Sequence, residues 1–523
     1  MAAEISGENI DRLEVLKRPS TAGMTTRVVK GSLWTLLGQV APLAVSIIAT
    51  PFTIRLLGAE SYGVYILIGL IPNYLAFADL GMSLASTKFA AEAYSAGDTA
   101  KEARIVRTAA LISSFSWLPV VFGLFLFSGW IVGFFNVPES YRGEASSALK
   151  AAAIAFGVNF LSCIFNTPQL TRLRMDLNTL IMTVPRMLLL IATPIIVFFG
   201  FGINGIYLAA LAAAITSLGA HLIISGRLNR HLFEATIEQG AVRPLLAFGA
   251  GAVMSAVAGM LLVNLEKGVT AVMLSPTDLA HYSIAYALSS MASLFSMSLL
   301  QSLIPAFSQL QHEDSREQLQ LIFSRGIRFS ILLAVPLLLG LSIMAEPFFY
   351  IWAGSDFAKH STLPFYLLIL GLAFNLPAYL PHAALISAGR TSTIAKLYFA
   401  ELIFYVPMVI GFTYLYGING AAAAWTIRVM FDAFMQYYLA GRLCSLRFPT
   451  IGKTLIATAL LTVGVTLIIL ILLRDNMPLA IGTGTAATII GLAVFFKYGK
   501  KIIQPEEIQW LKNTIRSRLF GIA

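Results

Sequence analysis

The stretch GSLWTLLGQVAPLAVSIIATPFTI, residues 31–54, contains no charged side chain and is bounded by Lys30 and Arg55. A helix needs about 20 consecutive apolar residues to cross the hydrocarbon core of a bilayer, where each backbone polar group must bond within its own segment. This stretch satisfies that requirement, and thirteen more follow it, at 62–85, 108–135, 148–166, 179–200, 204–226, 245–265, 279–306, 329–352, 363–387, 392–415, 418–440, 454–473 and 479–496. Composition agrees: of 523 residues 57% are apolar and 12% charged, against roughly 25% charged in a soluble domain. So apolar a chain cannot be disordered, and two cysteines, Cys163 and Cys444, exclude a secreted disulfide scaffold. The fold class expected is an all-α polytopic membrane protein with 14 transmembrane helices.

Lysine and arginine set the orientation. With the first thirty residues in the cytoplasm, about 28 of the 36 basic residues fall on the cytoplasmic side. Arg12, Lys17, Arg18, Arg27 and Lys30 precede the first span, Lys88, Lys101, Arg104 and Arg107 follow the second, and Lys497, Lys500, Lys501, Lys512, Arg516 and Arg518 crowd the tail. The opposite side holds Arg55, Arg142, Lys150, Lys267, Lys359 and Arg474, and Arg186 and Arg428 fall inside spans. Both termini are therefore expected in the cytoplasm. The net charge of +10 marks the inner face and is no sign of nucleic acid. The polar N-terminus has no short apolar run before a small-residue cleavage site, so no cleavable signal peptide is expected. The basic tail reads as a helix lying on anionic lipid.

Two short strings recur. Phe201-Gly202-Ile203-Asn204-Gly205 returns as Tyr416-Gly417-Ile418-Asn419-Gly420, and Leu57 with Tyr65 corresponds to Leu274 with Tyr282. Together they align spans 1–6 with spans 7–12. Six is even, so both halves start in the cytoplasm and form a parallel repeat, as in secondary transporters. The expected organisation is a cytoplasmic segment 1–30, a first six-helix bundle 31–230, a second 231–441, an appended helix pair 442–497 and an amphipathic tail 498–523.

The loops argue against catalysis. Outside loops are short, and none carries a P-loop, a dinucleotide fingerprint, HExxH or GxSxG. The six histidines (221, 231, 281, 312, 360 and 382) show no ligand spacing in sequence, so no metal site and no catalytic residue are expected. A membrane glycosyltransferase or polymerase would require a large outside loop bearing arginine or acid clusters.

At the first two spans Leu56-Leu57-Gly58-Ala59-Glu60-Ser61-Tyr62-Gly63-Val64-Tyr65, Phe77-Ala78-Asp79-Leu80-Gly81 and Lys88-Phe89-Ala90-Ala91-Glu92 resemble the opening of the polysaccharide transporter family. That is the Wzx-type flippase group of the multidrug/oligosaccharidyl-lipid/polysaccharide superfamily. The second half is similar at Asn264-Leu265-Glu266-Lys267 and at Ala280-His281-Tyr282-Ser283-Ile284-Ala285. One position departs, since many relatives carry Asp where this chain has Glu266. The resemblance implies two six-helix bundles across a central cavity. It also implies transfer of undecaprenyl-pyrophosphate-linked glycan, an O-antigen or exopolysaccharide precursor, from the cytoplasmic to the outer leaflet of the inner membrane. Partners would be that lipid-linked glycan, membrane lipid, and polysaccharide polymerase and chain-length machinery; no cofactor beyond a coupling ion, H⁺ or Na⁺, is implied. The rival within the superfamily is a multidrug or organic-cation antiporter.

For such a substrate the few charges inside the spans matter most, because intramembrane ionisable groups are functional candidates by default. Arg186 and Arg428 are the deepest cations, and arginine suits phosphate because its fork donates bidentately; for Arg186 the competitor is snorkelling toward the cytoplasmic headgroups. Arg55 and Lys267 occupy matching outer ends of spans one and seven, where interface anchoring competes with a substrate role. Asp79 and Glu401 are candidates for ion coupling or for pairing with an arginine, with a structural turn before Gly81 the competitor for Asp79. Asp432, four residues beyond Arg428 on the same helix face, is the expected neutraliser of that arginine. Glu266 and Glu346, near outer boundaries, are expected to be solvated. Proline within spans, such as Pro42, Pro185 and Pro407, marks kinks, and since membrane helices tolerate proline often, none is assigned a role.

Overall fold

The computed structural model describes residues 21–293 apart from 235, the separate positions 296, 303, 304 and 307, and residues 316–447, 450–473 and 476–500. Residues 1–20, His312, Arg474 and the amphipathic tail from 501 onward lie outside them. Among the described residues every regular element is a helix. In chain order these are α1 (Thr21–Tyr74), α2 (Met82–Ser95), α3 (Thr99–Leu126), α4 (Ser128–Phe134), α5 (Glu139–Phe165), α6 (Thr167–Thr171), α7 (Met175–Phe198), α8 (Gly202–Leu228), α9 (Val242–Met273), α10 (Pro276–Ser290), α11 (Arg316–Ala353), α12 (Ser355–Ser387), α13 (Thr391–Leu443), α14 (Thr450–Leu472) and α15 (Met477–Lys500), with short 3-10 turns between some of them. The apolar stretches read from the sequence fall on these helices, although the second half of 279–306 lies largely outside the described residues. By length and composition nine of the described helices can cross a membrane. Two of them, α1 and α13, carry two apolar stretches each, broken at Gly58 (φ 77°) and Gly417 (φ 59°).

The break at Gly417 explains part of the recurring string. Its counterpart Gly202 has φ 56°, a left-handed backbone that glycine adopts without steric cost. Three residues on, a Cβ on Gly420 would run into the Phe412 carbonyl, and one on Gly205 would meet the Phe201 side chain and Ile196 of α7. Both strings thus turn the chain at their first glycine and press it tightly on the preceding helix at their last.

Two expected spans are interrupted. The stretch 62–85 ends as a helix at Tyr74, and 76–79 form a 3-10 turn before Leu80 (φ 51°) and Gly81 (φ 70°) restart the chain as α2. The backbone of Gly81 passes so close to Gly249 of α9 that a Cβ at either position would strike the other segment. The stretch 108–135 is likewise split at Phe127 between α3 and α4. Hydropathy averages across such turns, because the turn residues are themselves apolar.

The chain divides into two compact units, Met1–Val257 and Ala258–Ala523, the division falling within α9. In the first unit α5 and α8 pack most extensively. The buried face of α5 is small-residue-rich, with Ala145, Ala148, Ala151, Ala152, Ala153, Ala155 and Gly157, which allows close helix approach where lipid supplies no hydrophobic drive. In the second unit α12 packs against both α11 and α13, and the appended pair α14–α15 rests mainly on α11. Large apolar side chains face outward, Phe115 and Ile403 being 79% and 78% exposed, as a lipid-facing surface requires.

Candidate functional site

In the second unit the break at Gly417 folds α13 into a hairpin, which decides who meets whom. Arg428, Asp432 and Gln436, spaced four apart, lie on one face of its second arm, and Glu401 and Tyr405 lie one turn apart on the first. Across the hairpin Arg428 Nη1 is 3.3 Å from Glu401 Oε2. Glu401 is fully buried and Arg428 is 8% exposed. The guanidinium also lies 5.5 Å from the centre of the Tyr405 ring, within cation–π reach. Asp432, the expected neutraliser, also acts on Arg428 through its charge, while both its carboxylate oxygens accept from the Gln436 side-chain amide at 2.8 Å. The tertiary partner across the hairpin thus joins the i,i+4 partner in balancing the guanidinium.

A second charged group adjoins this one. Glu266, expected to be solvated, is fully buried, and Tyr405 donates its hydroxyl to Glu266 Oε2 at 2.9 Å. The error follows from reading depth from sequence position: Glu266 lies near the end of an apolar stretch but on the face of α9 that packs on α13 through Leu262, Tyr405 and Val409. Its neighbour Lys267 sits 3.9 Å over the Tyr286 ring of α10 and donates to Asn264 Oδ1 at 3.2 Å.

Of these groups Arg428, Asp432 and Gln436 line a cavity of about 510 Å³, while Glu266, Lys267, Glu401 and Tyr405 stand behind its wall. Its walls are α9, α10, α12 and α13, with Tyr286, Ser289, Ser290 and Ser293 from α10 and its continuation, Asn375, Tyr379 and His382 from α12, and Tyr398, Trp425, Arg428, Asp432 and Gln436 from α13. Burying so many polar groups within membrane-spanning helices is unfavourable unless they serve one another or a ligand. Arg428 Nε, Glu401 Oε1 and Gln436 Oε1 are buried without a hydrogen-bond partner among the described residues. The cluster holds three carboxylates (Glu266, Glu401, Asp432) and two bases (Arg428, Lys267). On the other faces of α12 and α13, residues including Phe374, Pro377, Met430 and Phe434 join Val335 of α11 and Val463 of α14 around an apolar groove of about 790 Å³.

The remaining expected residues lie in the first unit and do not form one cluster. Arg186 is exposed on α7, a helix with only Ile181 and Thr193 buried, and its charge acts on Tyr65 of α1. Tyr65 belongs to an aromatic group with Tyr62 and Tyr207, each 5.7 Å from it. Arg55 is exposed on α1, three residues before the Gly58 break. Asp79 accepts from the Ser83 backbone N–H at 3.0 Å and from the Ser113 hydroxyl at 2.9 Å. These contacts tie it to the first turn of α2 and to α3, beside the turn named as the competitor to ion coupling.

Sequence reading also missed the buried charge of the first unit. Glu102 of α3 is fully buried and is gripped by Arg172 through Nη1 at 2.7 Å and Nη2 at 3.0 Å, a bidentate pair. Thr171 donates to it at 2.8 Å and Asn229 at 2.9 Å. Lying among Lys101, Arg104 and Arg107, it passes in sequence for one member of a solvated cytoplasmic run. The fold also gathers His281 with Asp356 and His360, whose ligand atoms all lie within 4.8 Å of one another; the last two are four residues apart on one helix, but no spacing links them to His281.

Residues 28–311 match the family described as polysaccharide biosynthesis protein. A Shigella flexneri protein named for O-antigen transport is 23% identical over 434 residues, covering 80% of this chain and 99% of that protein. Among solved structures, the lipid II flippase MurJ in an inward closed conformation superposes with a TM-score of 0.68 at 14% identity, covering 90% of this chain and 99% of that one. An inward-facing multidrug resistance transporter of the MATE family superposes at 0.65 and 13% identity, covering 78% and 98%. At such identities these structures establish a shared fold.

Proposed function

The chain belongs to the polysaccharide biosynthesis protein family, and from that premise we propose that it is a flippase for lipid-linked oligosaccharide. The expected cargo is a polyprenyl-pyrophosphate-linked unit, an O-antigen or exopolysaccharide precursor, carried from the cytoplasmic to the outer leaflet of the inner membrane. The name of the Shigella relative supports this choice over the multidrug reading, which the fold alone does not separate. Moving a pyrophosphate bearing a hydrophilic glycan through bare hydrocarbon would cost on the order of tens of kcal/mol for the ionised group. A polar enclosure for the head, with the prenyl chain left in an apolar surface, removes most of that cost.

The observation that carries the reading is the polar cavity walled by α9, α10, α12 and α13 in a chain whose outer surface is apolar. The apolar groove on the other faces of α12 and α13 has the chemistry of a prenyl-chain site. In this account fourteen helices, a parallel six-helix repeat with an appended pair, work by alternating access with both termini in the cytoplasm. The asymmetry of lysine and arginine and the twin glycine strings support that arrangement.

Roles for single residues follow from their partners. Arg186 and Lys267, and at the outer face Arg55, are the cations assigned to pyrophosphate or glycan. Arg428 is held by Glu401, so its role is to balance a buried carboxylate while presenting its Nε to the interior. Glu401 and Asp432 are the candidate coupling site for H⁺ or Na⁺, since three carboxylates face two bases there. That excess is the one feature that favours the cation-antiporter alternative. With the inside negative, outward movement of negative charge is downhill by about 2.3 kcal/mol per charge per 100 mV, so two pyrophosphate charges would gain roughly 4–5 kcal/mol. Coupled cation entry would then reset the empty carrier.

Complementation tests the reading. Expression in a strain lacking its oligosaccharide flippase is expected to restore surface polysaccharide, provided the strain makes a compatible unit. Failure across a panel of strains with different units, together with gain of resistance to organic cations, would transfer the assignment to the antiporter.

A further inference from the structure

We propose that His281, Asp356 and His360 form a binding site for a divalent transition-metal ion of the zinc class, clamping the start of α10 to the start of α12. Asp356 and His360 are four residues apart on the first turns of α12 and so project to the same side. His281 comes from α10. Its Nε2 is 3.0 Å from Asp356 Oδ2, and His360 Nδ1 is 3.0 Å from Asp356 Oδ1. One ligand atom from each residue lies within 4.8 Å of the others. Donors bound to one tetrahedral zinc at about 2.0–2.1 Å stand about 3.3 Å apart. The three donors are therefore grouped close to that spacing, and on binding His360 Nδ1 would give up its 3.0 Å contact with the Asp356 main-chain carbonyl.

The donor set fits the chemistry. Two imidazoles and a carboxylate suit zinc and its neighbours in the first transition row, whereas magnesium and calcium prefer oxygen ligands alone. Orientation is already fixed on the buried side. His281 is 3% exposed, packed edge-on by Phe357 at 4.7 Å and stacked against His360 at 4.9 Å with an interplanar angle of 24°. On the open side Asp356 and His360 have side-chain exposures of 55% and 46%, which gives an ion a path in and leaves a coordination position for water.

The site is placed to matter. Five residues beyond His281 on α10 is Tyr286, and α12 continues to Asn375 and His382, all three lining the polar cavity. An ion here would tie together two helices that wall it. The metal proposal itself rests on the three ligands and stands whether or not the cavity carries glycan.

The test uses the full-length protein, purified in detergent without an oligohistidine tag and treated with chelator. Titration with Co²⁺ alone should produce a d–d absorption band saturating at one ion per chain, displaced by Zn²⁺, and Zn²⁺ should raise the melting temperature. H360Q, at a half-exposed position, should lower affinity by roughly 100-fold or more, beyond the effect of losing an outer-shell partner, and should abolish the melting shift. D356N should do the same. H231Q, which changes the separate His231–Glu234 pair, should retain full binding. Absence of a saturable band in the wild type, unchanged affinity in H360Q, or loss of binding in H231Q would each overturn the proposal.

Discussion

Arg428 of the second arm of α13 pairs with Glu401 of the first, 3.3 Å away, across a break at Gly417. The pair makes the helical hairpin an electrostatic unit as well as a covalent one. Removing one partner of a buried pair leaves an uncompensated charge, at a cost of about 3–5 kcal/mol, whereas replacing both with apolar residues of similar size is often neutral. Arg428→Ala is therefore expected to lower thermal stability in detergent strongly. The double change R428M/E401L should recover stability while transport stays lost. Recovery of transport by the double variant would remove the pair from the mechanism.

The glycines of the recurring string have separable roles. Gly420→Ala forces a Cβ into the Phe412 carbonyl, and the backbone there has no flexible end to yield. Overpacking of this kind costs about 1–3 kcal/mol, so the variant should show reduced folded yield by fluorescence size-exclusion chromatography. Gly411→Ala, with open space around its position, is the matched control and should behave as wild type.

Glu102 offers a test away from the cavity. Its bidentate partner Arg172 is 12% exposed at the side chain, so Arg172→Ala should destabilise the first unit by about 3–5 kcal/mol. Arg172→Lys should restore only part of this, because an ammonium cannot reproduce the two parallel donors. Equal melting temperatures for the three proteins would show that Thr171 and Asn229 suffice to hold the carboxylate.

Arg186 is expected to separate stability from transport. It is exposed and forms no ion pair among the described residues, so Arg186→Ala should change stability by less than about 0.5 kcal/mol. Transport should nevertheless fall, with Arg186→Lys intermediate. Wild-type transport in Arg186→Ala would withdraw this residue from the cargo path.

What could be read from the sequence divides along physical lines. Apolar runs announce helices wherever they occur, because the requirement is local and every backbone group must bond within the run. The twin glycine strings were legible for the same reason, since a left-handed φ and a close approach both select glycine. The partners of buried charges were not. Arg428 has an acid four residues away, and only the hairpin shows that Glu401 joins it. Glu266 sits at the end of an apolar stretch, and only the packing of α9 on α13 shows its burial. His281 and His360 are separated by the whole of α11, and no spacing rule connects them. Helices also run past the hydrophobic stretches, as α1 does from Thr21, because water tolerates a helix end that hydropathy does not mark.

The central claim is tested most directly by the purified protein in liposomes carrying polyprenyl-pyrophosphate-linked oligosaccharide, with the glycan on the inner leaflet made accessible to an external glycosidase only by transfer. Cleavage is predicted to proceed beyond the outer-leaflet fraction, to accelerate with a membrane potential that favours movement of negative charge toward the glycosidase, and to be lost in Arg428→Ala and diminished in Arg186→Ala. Cleavage that stops at the outer-leaflet fraction, with the same liposomes exchanging an organic cation for protons, would contradict the account.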